Sequence, residues 1–155
     1  MSRYDENAVL ANHWDIWKKA KDFPSLYAKS DYTIVFTLGL TDFGWSVGSK
    51  SKTYSGTPIN LTGHTIKLYA SKLASAPNII EGVRGYGWIA EGRLFDVSAT
   101  VVTAASGICS VALTPTNLDG YGAYIAEIEV TETATGKKRV PGQLRLTLIG
   151  SVSDR

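Results

Sequence analysis

The chain is poor in the residues that carry out chemistry. It holds one cysteine, Cys109, and two histidines, His13 and His64. A lone cysteine closes no intrachain disulfide, so the fold is expected to stand without oxidation. Its setting, Gly107-Ile108-Cys109-Ser110-Val111, reads as a strand, which points to a buried, inert thiol. Two separated histidines and one cysteine do not make a clustered ligand set, so no metal is expected. Asn117-Leu118-Asp119-Gly120 reads as a turn before it reads as a calcium loop. A Ser-His-acid hydrolase needs a histidine held toward a nucleophile, and neither histidine has an identifiable partner. Glu127 and Glu129 share a strand face but read as solvent-facing rather than paired in a cleft. The glycines Gly82, Gly85 and Gly87 lack the spacing and the strand-then-helix context of a nucleotide loop. No catalytic residue, metal or cofactor is therefore expected.

Charge of one sign is also scarce. The formal net charge is +2, which gives no electrostatic case for nucleic acid. The basic runs, Lys18-Lys19 with Lys21 and Lys137-Lys138-Arg139, are short and suit a helix end and a turn. No apolar run approaches the ~18 residues that span a membrane. The polar start, Met1 to Asn7, lacks the apolar centre of a secretory signal, so synthesis in the cytoplasm is expected.

What is present is hydrophobic patterning over 155 residues, enough for one domain with an arm. A helix is expected from about Asp5 to Lys21. Asp5 or Asn7 caps it, its lysines fall in the last turn, and Pro24 follows. Leu10, Trp14 and Trp17 share one face at i, i+4 and i+7. That stripe either packs on the parent domain or docks against a neighbouring subunit. After Pro24 the period becomes two. Tyr32, Ile34, Phe36 and Leu38 alternate with polar or β-branched residues. Gly39 to Gly56, around Phe43 and Trp45, reads as a long adaptable loop. Further strands are expected at His64–Ser71, Leu94–Val102, Ile108–Leu113, Tyr124–Val130 and around Leu144, Leu146 and Leu148. Turns recur every 8–12 residues, the pattern of a sandwich. The expected core is Phe36, Leu38, Ile66, Leu68, Val111, Leu113, Tyr124, Ile128, Leu146 and Leu148. The fold class is then all-β: a β-sandwich of about seven or eight antiparallel strands. Residues 1–28 form a helical arm and 29–155 the sandwich.

Three motifs carry a resemblance. The first is Pro58-Ile59-Asn60-Leu61-Thr62-Gly63-His64-Thr65-Ile66. The second is Ala105-Ser106-Gly107-Ile108 with Val111-Ala112-Leu113-Thr114-Pro115. The third is Gly122-Ala123-Tyr124-Ile125-Ala126-Glu127-Ile128-Glu129-Val130-Thr131, followed by Gly136-Lys137 and Val140-Pro141-Gly142. In order and spacing, the stretch from Pro58 to Leu148 resembles the N-terminal domain of the phage baseplate upper protein family. The chain adds a Trp-bearing N-terminal arm and an insertion around Val83 to Phe95. The resemblance implies an immunoglobulin-like domain in a phage virion, as a tail, baseplate or neck component. Its implied partners are other phage structural proteins and copies of itself. A capsid decoration protein and a carbohydrate-binding module of a host-adsorption apparatus are the alternatives. The latter would stack Trp45, Tyr54, Tyr86 or Trp88 on a host glycan. Candidate interface residues are Leu10, Trp14, Trp17, Phe23, Tyr27, Phe43, Trp45, Tyr86 and Trp88.

Overall fold

The computed structural model describes residues 19–72 and 93–150. Among these, almost all ordered structure is β. Ten strands form two five-stranded sheets, with one 3-10 turn at Ala104–Ser106. The strands are β1 (Leu26–Tyr27), β2 (Tyr32–Leu38), β3 (Phe43–Val47), β4 (Lys50–Lys52), β5 (His64–Lys72), β6 (Arg93–Ser98), β7 (Thr100–Thr103), β8 (Ile108–Leu113), β9 (Gly122–Glu132) and β10 (Lys138–Ile149). One sheet runs β1-β10-β9-β5-β6 and the other β4-β3-β2-β8-β7. All pairings are antiparallel except β1 on β10.

The sheets face each other across one core. Alternation decides which residues enter it. Ile34, Phe36 and Leu38 of β2 point inward with Cys109, Val111 and Leu113 of β8. They meet Ile66 and Leu68 of β5, Tyr124, Ile128 and Val130 of β9, and Leu144, Leu146 and Leu148 of β10. All ten expected core residues are buried. Burying each such side chain stabilises the fold by about 1.5–3 kcal/mol before the entropy of ordering it. The architecture is thus sandwich-like.

Several elements differ from the sequence reading. Gly39–Gly56 is not a loop. Phe43, Trp45 and Val47 alternate into the core on β3, and Gly48 turns the chain at φ 57° into β4. Leu94–Val102 is not one strand. It breaks at Ala99, whose N–H donates to Ile66 O at 2.8 Å, and the chain switches sheets there. The described residues alone therefore hold ten strands. The expected helix does not extend to Lys21, which already bridges Leu144 in parallel. Residues 20–28 are likewise not a separate arm, because Ala20, Leu26 and Ala28 are buried against the sheets. The remainder of that helix, with Leu10, Trp14 and Trp17, lies outside the described residues. So does most of the insertion, with Tyr86 and Trp88.

Candidate functional site

The motifs that were read from sequence meet in space. Asn60 Oδ1 accepts from Thr62 N at 2.9 Å, making the bend that enters β5. Gly63 completes it at φ 75°. Leu61 N donates to Ala104 O at 2.9 Å, and Thr133 N to Gly63 O at 2.9 Å. Gly107, at φ 68°, lies against the same segment. A Cβ there would fall 2.7 Å from Leu38 O and 2.9 Å from Ile59 O. Side chains at that position are excluded on both counts. Pro141-Gly142 sits where the β9–β10 register shifts, between Arg139 and Gly142. A bulge is where a proline costs no ladder bond.

Chemistry remains thin among the described residues. No group of three or more His, Cys, Asp or Glu could hold a metal there. Burial pushes the Cys109 thiol up to about 12, which removes its nucleophilic form at neutral pH. His64 donates from Nδ1 to Thr62 O at 2.9 Å, a structural contact. No helix among the described residues is long and apolar enough to cross a membrane.

The surface is more informative. One region centres on the N-terminal segment where it crosses from β10 to β3. Lys21 pairs with Asp42 at 2.7 Å, and Asp22 pairs with Arg145. Lys21 Nζ also lies 5.3 Å from the centre of the Phe43 ring. Phe23 packs edge-on against Trp45, with ring centroids 4.7 Å apart. A cleft of about 360 Å³ opens here, lined by Lys19, Lys21, Asp22, Trp45, Lys52 and Arg145. Burial raises the Asp42 carboxyl. The hydrogen bonds from Lys21 and the Phe43 N–H, with the charges of Lys21 and Lys52, outweigh it and leave the pKa lowered. Trp45 is only 8% exposed, and its Nε1–H is buried with no hydrogen-bond partner.

A second region is apolar. Tyr27 of β1 and Ile149 of β10 are register partners, and both are exposed. Tyr121 is also exposed, and a Cβ on Gly150 would lie 3.4 Å from its ring. A third is the β7 edge, Thr100-Val101-Val102-Thr103, exposed throughout, with Val102 at 59%. The outer face of the β1-to-β6 sheet is instead a polar network. Tyr69 donates to Glu129 at 3.2 Å, Gln143 to Glu127 at 3.1 Å, and Lys67 faces Asp96 at 3.4 Å.

Of the described sequence candidates, Phe23, Phe43 and Trp45 belong to the first region and Tyr27 to the second; the alternation of β3 turns Phe43 and Trp45 inward, so both are buried. The paired exposure of Tyr27 with Ile149 was missed, because parallel pairing of a two-residue strand leaves no local pattern. The β7 edge was missed because its edge position is set by sheet order. No protein-family model matches the chain, and no curated protein matches it.

Proposed function

We propose that this chain is an immunoglobulin-like structural protein of a phage virion, in the tail, baseplate or neck, and that it assembles through protein–protein contacts. The observation that carries the reading is the meeting of the motifs. Pro58–Ile66, Ala105–Ile108 and Gly122–Thr131 are distant in sequence, yet Gly107 lies against Pro58 and Ile59, and Thr65 and Ile66 pair across the sheet with Thr131 and Val130. The residues behind the resemblance to the baseplate upper protein family thus hold one another in place.

Strand order supports the immunoglobulin-like part. The sheet β1-β10-β9-β5-β6 reads as A′-G-F-C-C′ of a variable-type domain, and β2-β8-β7 reads as B-E-D. The β3–β4 hairpin is inserted between B and C and takes the place beside B that strand A would hold. Thin chemistry and exposed edges suit a building role. The glycan-binding alternative loses one of its platforms, because buried Trp45 cannot stack on a sugar.

The test is mass spectrometry of density-purified particles together with a glycan array of the purified chain. The expected result is a fixed copy number per particle and no glycan binding. A chain absent from particles, or one that binds glycans as a free monomer, would overturn the reading. Copies at capsid axes would support the head-decoration alternative instead.

A further inference from the structure

We propose that Ala20–Tyr27 is an exchangeable edge strand, and that in assembly it leaves its own β10 and pairs in parallel with the β10 of a second copy of this chain. The segment is held at two separated points. Lys21 N donates to Gln143 O at 2.8 Å, and Arg145 N donates to Lys21 O at 2.9 Å. Leu26 and Tyr27 then pair with Leu148 and Ile149, and Ala28 N donates to Ile149 O at 2.8 Å. Between these points stands Pro24, which has no N–H to give. The pairing is parallel, the weaker geometry per residue. The strand is therefore held mostly by its side chains. Leu26 and Ala20 are buried, Phe23 packs on Trp45, and Lys21 and Asp22 pair with Asp42 and Arg145.

Every one of those partners belongs to the body of the domain. The same contacts form when the strand comes from another copy, which is what makes exchange a low-cost route to association. The hinge favours it. Ala28–Asp31 carries the chain from one sheet to the other in four residues. Within it Lys29 is the only non-glycine residue of positive φ among those described, at 58°. A left-handed lysine is strained, and a short strained hinge invites swapping. Extended, these four residues reach roughly 13 Å, and Lys29 relaxes. Residues 1–18 precede the strand covalently, so exchange would bring Trp14 and Trp17 along with it. The proposal deepens the assembly reading and rests on it for its purpose.

The test uses full-length purified chains, so its outcome does not depend on finding the chain in virions. Chains carrying only Tyr27→Cys are mixed with chains carrying only Ile149→Cys and treated with a short bis-maleimide. Both positions are exposed and in register, while Cys109 is buried. Exchange predicts mixed dimers several-fold above same-variant dimers, rising with concentration. Lys29→Val keeps the N–H that donates to Leu118 O but disfavours the left-handed state, and should raise the mixed dimers further. Lys29→Gly relaxes the closed hinge and should lower them. Mixed dimers no more abundant than same-variant dimers at every concentration would overturn the proposal. Should Lys29→Val fail to fold, the comparison with the native hinge decides alone.

Discussion

Cys109 sits across the register from Phe36 on one side and Val101 on the other. Burial moves its pKa from 9.0 to about 12. The unfolded chain therefore loses this proton near pH 9, while the folded chain keeps it to about pH 12. Above pH 9 the unfolded state binds fewer protons, so stability falls as pH rises. The contribution is complete below pH 9 and lost by about pH 12, at about 1.4 kcal/mol per unit. Lysines and tyrosines also titrate there, so the measurement is a difference. Urea titrations of the native chain and Cys109→Ala between pH 8 and 11 should show the steeper decline in the native chain. Equal slopes would mean that the thiol reaches water. The inward position of Cys109 was legible in sequence, because Ile108–Leu113 alternates cleanly. Ile125 was not, since it is buried on the face that the alternation of β9 gives to solvent. Its neighbour across the sheet, Ser71, is buried too and accepts from Arg93 Nε at 3.1 Å. One strand's pattern cannot show what lies over its outer face.

Among strands, legibility followed alternation and failed at sheet crossings. β2, β5, β8 and β9 were readable because each keeps period two between turn residues. The β3–β4 hairpin carried a signal as well. Phe43, Trp45 and Val47 alternate before the two-residue turn Gly48-Ser49, but the surrounding glycine, serine and lysine suggested a loop. The break at Ala99 carried none, because Leu94–Val102 keeps one pattern while changing sheets. That crossing creates the β7 edge. Other edges are guarded: β4 by Lys50 and Lys52, β6 by Arg93 and Asp96, and β1 by its two-residue length. β7 carries no charge, and only its bulge between Val101 and Thr103 interrupts it. Unguarded edges pair with other chains. Val102→Lys should slow aggregation on gentle heating, followed by light scattering. Val102 is exposed, so the change in urea stability should stay within about 0.5 kcal/mol. Unchanged aggregation would show that β7 is not the edge at which chains associate.

At the scale of the molecule, the border between arm and body moves from residue 28 to about residue 19, and truncations separate the two. Among the described residues, the buried positions begin at Ala20 and the sheets pack over them. A chain starting at Lys19 should therefore keep its urea stability to within about 1 kcal/mol. It should still fail to join particles, if Leu10, Trp14 and Trp17 provide the docking face. A chain starting at Lys29 loses more. Leu26 leaves a hole in the core, the Phe23–Trp45 contact disappears, and the β10 edge opens from Gln143 to Ile149. Removing a buried leucine side chain alone costs about 2–5 kcal/mol, so this chain should be destabilised by at least that much. It should also aggregate through the freed edge. A synthetic peptide spanning Ala20 to Lys29 should restore part of the lost stability, because the acceptor surface belongs wholly to the body. Urea titration with and without peptide reads this directly. Equal stability of the two truncations would mean that residues 20–28 contribute no core. Particle assembly by the chain starting at Lys19 would place docking on the body rather than on the residues before it.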